Sequence, residues 1–430
     1  MLSFLEMNRT QLSHELMTLT DRYENIKTQK LSLDMTRGKP CREQLDMGSD
    51  LLTNLKPGDV FAMDGSDCRN YGLPLGLHEA REFFAEMIGT KAEHVIVGNN
   101  SNLNVMFDTI MRALVFGEIE SEKPWSQIEC KKWLCPVPGY DRHFLVTQTL
   151  GFELIAIPLN EDGPDMDMVE KLVAEDPSIL GMWAVPLYSN PDGYIYSQEV
   201  CERLASMKTA AKDFRILWDN AYVVHHLYED DKATIPDILS LCKNAGNPNR
   251  VYEFASTSKI SYAGSGISCI AANADNFARI RKYLSVQTIG PDKINELRHM
   301  RYMPDYQTLE AVMKRHADII RPKFEMTLSI LDTELGATGI GRWHKPMGGY
   351  FVSLFVYPGT AKKVVALAKE AGVALTPAGA TYPYGIDPLD ENIRISPTFP
   401  SMQDVEKAIE VLGICAKIAA AEKLMKEVQL

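Results

Sequence analysis

The run from Phe254 to Gly266, FASTSKISYAGSG, places one amine among small and hydroxyl-bearing residues. The hydroxyls of Ser256 and Ser258 can hydrogen-bond phosphate oxygens, and the Gly264-Ser265-Gly266 turn lets backbone approach closely. An amine at Lys259 forms a Schiff base with an aldehyde once its pKa is lowered. Upstream, Asp219 ends the apolar run Ile216-Leu217-Trp218, where a buried carboxylate can pair with a pyridinium nitrogen. An amine beside a phosphate, together with that carboxylate, is the set that pyridoxal phosphate requires.

These residues need elements to position them. Short apolar runs recur, each followed by a polar loop: Val95-Ile96-Val97 before Gly98-Asn99-Asn100-Ser101-Asn102, Trp133 to Val137 before Pro138-Gly139-Tyr140, and Met182 to Val185 before Tyr188-Ser189-Asn190-Pro191. Leu154 to Ile157, Ile216 to Trp218, Val251 to Phe254 and Ile267 to Ala271 complete the series, with helical patterns between them. Such alternation predicts a wound, mostly parallel sheet, and ligands collect at the carboxyl ends of its strands. A long helical pattern from Tyr306 to Leu335 contains Pro322, which is expected to kink or break it. Strands at Tyr350–Phe355 and Ile393–Ile395, with helices at 361–370 and 405–426, make a smaller α+β unit on which the N-terminal helix should pack. The expected division is a large domain over residues 45–305 and a discontinuous small domain of 1–44 with 306–430.

With 430 residues and 45% hydrophobic composition, the chain can bury a large core. A net charge of -12 argues against nucleic acid or an anionic membrane as partner. Eight scattered cysteines without a C-x-x-C pair, no signal-peptide pattern and no apolar run of spanning length predict a cytoplasmic protein. His225 and His226 are adjacent, do not face one target on regular structure, and predict no metal site.

Further motifs follow in order: TRGKP at 36–40, NYGLPLG at 70–76, PGYDRH at 138–143, SNPDG at 189–193, WDNAY at 218–222 and NIRIS at 392–396. With the lysine segment they resemble, across nearly the whole chain, the class I aminotransferases of pyridoxal-phosphate fold type I, within them the MocR-like, subgroup Ic aspartate aminotransferase branch. The resemblance implies an α/β fold with a mostly parallel, seven-stranded sheet, flanking helices and a smaller α+β domain. By the same resemblance Lys259 carries the cofactor and moves the Cα proton. Asp219 keeps the pyridine nitrogen protonated, Tyr222 and Asn190 bond the ring's phenolic oxygen, and Tyr140 stacks on its face. Ser101 and Asn102 hold the phosphate at a helix N-terminus, and Tyr71 reaches the phosphate of a neighbouring subunit, which implies a homodimer with shared active sites. Arg394 clamps the substrate α-carboxylate, Gly38 belongs to the segment that closes over substrate, and His143 supports Asp219.

One departure stands out. Most class I members carry a phosphate-binding arginine shortly after the lysine, where this chain has Ser265; the phosphate is then expected to rest on Ser256, Ser258, Ser101, Tyr71 and Ser265. A dicarboxylic substrate needs a second cation, with Arg37, Lys39, Lys293 and Arg301 as candidates. The expected activity is transfer of an amino group from an amino acid, L-aspartate first, to a 2-oxo acid, 2-oxoglutarate first. A pyridoxal-phosphate lyase or decarboxylase shares the fold, because fold does not fix which Cα bond breaks. A non-catalytic regulator would need a DNA-binding domain, and the motifs begin by Gly38.

Overall fold

A computed structural model describes residues 3–427. In chain order the strands are β1 (Leu33–Asp34), β2 (Val95–Val97), β3 (Lys132–Val137), β4 (Glu153–Asn160), β5 (Gly163–Pro164), β6 (Ile179–Ala184), β7 (Arg215–Asp219), β8 (Val251–Ser256), β9 (Ser268–Ala271), β10 (Gly341–Trp343), β11 (Val352–Val356), β12 (Val373–Ala374) and β13 (Asn392–Ile395). The large sheet runs in the order β2-β9-β8-β7-β6-β3-β4-β5. Its centre, β4-β3-β6-β7-β8, is parallel. β9 turns back antiparallel between β8 and β2. The sheet therefore has eight strands, not the expected seven. The additional one, β5, is a two-residue antiparallel edge strand ending in Pro164, too short to register as an apolar run.

Helices cover both faces of the centre, so β6 and β7 are buried along their full length; β6 reads as an unbroken apolar run, and β7 as one bounded by Arg215 and Asp219. Parallel direction also sets the site. β3, β6, β7 and β8 present their carboxyl ends along one edge, where Asp219 ends β7 and the following loops carry Tyr140, Asn190 and Lys259.

A second sheet, β10-β11-β13, is antiparallel, and Arg394 on β13 pairs in register with Ser353 on β11. β1 and β12 form a short parallel pair that ties the N-terminal segment to this part of the molecule. The helix Met402–Glu427 is buried at every position from Val411 to Ala421, with the helices Arg9–Thr28 and Tyr306–Leu335 packed on it. Its Lys417 is buried too, and is paired with Glu334.

The helix Tyr306–Leu335 continues through Pro322, so of the expected kink or break the break does not occur. Side chains on both sides of the proline anchor it. Buried Ile320 and Phe324 join the core. Lys323 Nζ donates to the carbonyls of Thr398 at 2.9 Å and Pro400 at 2.6 Å. Packing on each flanking turn outweighs the one missing N–H.

Apolar packing gathers into two cores. The first holds the large sheet and its helices and reaches Leu309, Val312 and Met313 at the start of the long helix. The second holds the N-terminal helix, the second sheet and the closing helix, and takes in Leu187, Tyr188, Tyr222 and Leu227 from the sheet-end loops. The site lies where these two cores meet.

Candidate active site

Asp219 is the last residue of β7 and is buried in the sheet centre. A carboxyl group there needs partners, and it has two. Asn102 Nδ2 donates to Oδ1 at 2.8 Å, and His143 Nε2 lies 3.0 Å from Oδ2. His143 is held in turn by stacking on Trp183, with ring centroids 4.3 Å apart. The expected support from His143 is therefore present in the geometry. The Asn102 side chain differs from expectation: it points to Asp219, not to a phosphate loop. Asn102 starts a helix, where a side chain on the buried face meets the neighbouring strand end while the backbone N–H groups of the first turn remain directed outward.

Lys259 sits one turn beyond β8, over the rings of Tyr222 (4.9 Å to the centroid) and Tyr350 (6.0 Å). Burial of the amine lowers its pKa, and the Asp219 carboxylate partly opposes the shift. An amine so placed loses its proton more readily and becomes a nucleophile. Tyr222 is shifted the other way: burial holds its hydroxyl well above the usual phenol value, so it stays a donor. Burial likewise pushes Tyr140 up to about 12. Tyr350 donates to the Lys259 carbonyl at 3.3 Å and accepts from Gln44 Nε2 at 3.0 Å, which fixes the lysine's backbone from the second core.

Ser256 and Ser258 lie together, Oγ to Oγ 3.3 Å, as the lysine segment predicts. Behind them Gly266 packs so closely that a Cβ would sit 3.2 Å from the Ser258 nitrogen. Ser265 shares that turn and is held through its carbonyl by Asn295 Nδ2 at 3.2 Å. Ser101 precedes the helix from Asn102, with its hydroxyl on Asn104 Oδ1 at 2.7 Å.

The cavity over Lys259 measures about 530 Å³. Tyr140, Asn190, Asp219, Tyr222, Lys259 and Arg394 line it, and Gly38 faces them from the N-terminal segment. A Cβ at Gly38 would collide with the Phe351 ring, so only glycine lets this segment lie so close. Arg394 is nearly enclosed and bonds Asp141 Oδ1 at 2.8 Å and Asn190 Oδ1 at 3.5 Å. Of the four candidate second cations, Arg37 and Lys39 line the cavity. Lys293 is buried against the Gly72 carbonyl, and Arg301 pairs with Asp59; neither reaches the cavity. Arg142, which the sequence reading passed over, does line it. Its place beside Tyr140 at a strand's carboxyl end was the available signal. Tyr71 lies apart, 82% exposed on a surface loop.

An α/β sheet with this lysine–aspartate pair at its strand ends is the architecture of fold type I aminotransferases. The sequence profile of the family described as aspartate amino-transferase matches residues 7–428. The aspartate aminotransferase of Corynebacterium glutamicum is 46% identical over 417 residues, covering 97% of this chain and 96% of that one. A crystal structure of an aspartate transaminase from that organism superposes with a TM-score of 0.96 at 45% identity, covering 98% of this chain and 99% of its own. α-Aminoadipate aminotransferase from Thermus thermophilus, complexed with N-(5'-phosphopyridoxyl)-L-leucine, shares the fold at TM-score 0.72 and 22% identity, over 91% and 93% of the two chains.

The chain belongs to the aspartate aminotransferase family. It is an aminotransferase, and its cofactor is pyridoxal phosphate. The residues present fit that group: a buried amine of lowered pKa, a carboxylate fixed on both oxygens, and a glycine-lined cradle beside two hydroxyls.

Proposed function

We propose that this aminotransferase takes the amino group from L-aspartate, passes it to 2-oxoglutarate, and works as a cytoplasmic homodimer. The observation that carries the substrate reading is an excess of cations around the cavity. Arg37, Lys39 and Arg142 line it with Arg394, and none of the three is ion-paired among the described residues. A substrate with two carboxylates meets Arg394 with one and this group with the other. The relative of 46% identity that bears the name aspartate aminotransferase supports the same choice.

Pyridoxal phosphate supplies an aldehyde for an amine and a ring that takes up the electron pair left on Cα. Lys259 Nζ would take the proton from Cα and deliver it to the cofactor's C4′. Asp219, paired with His143, holds a proton on the ring nitrogen. Tyr222 and the Asn190 amide donate to the ring oxygen; Asn190 Oδ1 already faces Arg394, which leaves its N–H₂ for that bond. Tyr140 covers one ring face. Ser101, Ser256, Ser258, Ser265 and the backbone N–H groups at Asn102 hold the phosphate, joined by Tyr71 from a second copy. The exposure of Tyr71, among the exposed apolar residues Leu52, Phe61 and Met63, supports that copy's presence.

The two cores support a division into a large domain over 45–305 and a small one of 1–44 with 306–430, bridged by the long helix. Free cysteines throughout the described residues, and the absence among them of a helix long and apolar enough to cross a membrane, fit the cytoplasm.

Visible absorbance of the purified protein with pyridoxal phosphate tests the reading. Bleaching with L-aspartate and recovery with 2-oxoglutarate are expected, and Lys259→Ala should show neither. A yellow protein that ignores aspartate ends the substrate assignment.

A further inference from the structure

The guanidinium of Arg394 already holds a carboxylate, that of Asp141. Its Nη1 donates to Asp141 Oδ1 at 2.8 Å, while its contacts with Asn190 Oδ1 (3.5 Å) and Thr376 Oγ1 (3.4 Å) are at the limit of hydrogen bonding. Its Nε is buried and has no acceptor. Arginine carries five N–H donors in a planar fork, so this cation is built to take more than it holds.

The two partners differ in freedom. The Arg394 side chain is 6% exposed, that of Asp141 27%. Arg394 is fixed in β13, inside the second sheet. Asp141 opens the helix Asp141–Thr149 at the rim of the cavity, where the helix N-terminus favours an acid whether or not it holds Arg394. The aspartate can leave toward water and its neighbour Arg142; the arginine cannot.

We propose that Asp141 stands in for the substrate carboxylate, pairing with Arg394 until substrate arrives and then yielding it. This rests on the reading of Arg394 as the carboxylate clamp. An unpaired buried guanidinium is strongly unfavourable, so the stand-in keeps the clamp charged, extended and paired in the open enzyme. Binding then becomes an exchange of one carboxylate for another. A monocarboxylate gains little by it. A dicarboxylate gains the exchange and, in addition, contacts with Arg37 and Arg142. Asp141 thereby lowers the affinity of every substrate that uses the clamp by the same factor, so that only one with a second carboxylate for Arg37 and Arg142 binds well.

The test uses the holoenzyme and maleate, a non-reacting dicarboxylate. Arg394→Lys comes first and should raise the maleate inhibition constant about tenfold or more, because a bidentate fork is lost. If that constant does not move, the clamp reading fails and this proposal falls with it. With the clamp in place, Asp141→Asn should lower both the maleate inhibition constant and the KM for L-aspartate by about fivefold, the size of one partly exposed ion pair. Maleate should also raise the Tm of Asp141→Asn by more than it raises that of the native enzyme. Asp141→Ala, a good helix former at this first helical position, should show the same fall and guards against a folding defect in the first variant. Unchanged or raised constants in both variants, or a fall in kcat alone, overturn the stand-in while leaving the clamp intact.

Discussion

The two walls of the active site are built on opposite plans. On the sheet-end wall, the acids are buried and already have partners. Both Asp219 oxygens have partners, and Asn220 Nδ2 donates to buried Glu253 at 2.9 Å. On the wall made by β13 and the N-terminal segment, Arg37 and Lys39 have no ion pair among the described residues, and Arg394 leans on a carboxylate that is itself partly exposed; Arg142, after the carboxyl end of β3, adds a third such cation. The paired wall suits a cofactor that stays through many turnovers, because a rigid, satisfied shell holds its electrostatics without reorganising. The unpaired wall suits a substrate that must enter and leave, since each contact it makes is new.

Removing a partner from the paired wall should cost most. Asp219→Ala is expected to lower kcat/KM by about 10³-fold, the scale of one preorganised electrostatic contact at a reacting centre. Steady-state kinetics with saturating pyridoxal phosphate measure it; a loss below about tenfold would mean that the wall is not the electronic support it resembles. At the cations open to substrate the effect should be smaller and selective. Arg142→Ala should raise KM for L-aspartate by about tenfold and leave L-alanine nearly unaffected, as expected for a partly exposed charge contact. Equal losses for both amino acids would erase the contrast between a fixed wall and a substrate-reading one.

The smallest effect concerns stability. Burial pushes the Glu253 carboxyl up to about 8, so it stays protonated in the fold at neutral pH. Between the ordinary glutamate range and that value, the folded chain holds a proton that the unfolded chain has released. Stability therefore falls as pH rises through this window. Glu253→Gln should flatten the decline in Tm between about pH 5 and about pH 8, measured by calorimetry, because the amide carries no such proton. An unaltered slope would show that the carboxyl is not the protonated member of the paired wall.

Much of this molecule was legible in its residues. Lys259, Asp219, Tyr222, Asn190 and Arg394 stand in or beside strands whose apolar runs reveal the sheets, and all five meet in one cavity. Local sequence carries that information because a parallel sheet places every strand's carboxyl end on the same edge. What only the tertiary structure decided involves residues far apart in the chain. Asn102 turns to Asp219, 117 positions away, and Asp141 to Arg394, 253 away. Pro322 sits inside an unbroken helix because Lys323 is tied to carbonyls near residue 400. Lys293 and Arg301 left the list of substrate cations, and Arg142 joined it, for the same reason. The sequence determined which chemistry the chain could perform; only packing between distant segments decided which side chains were satisfied and which were left open for substrate.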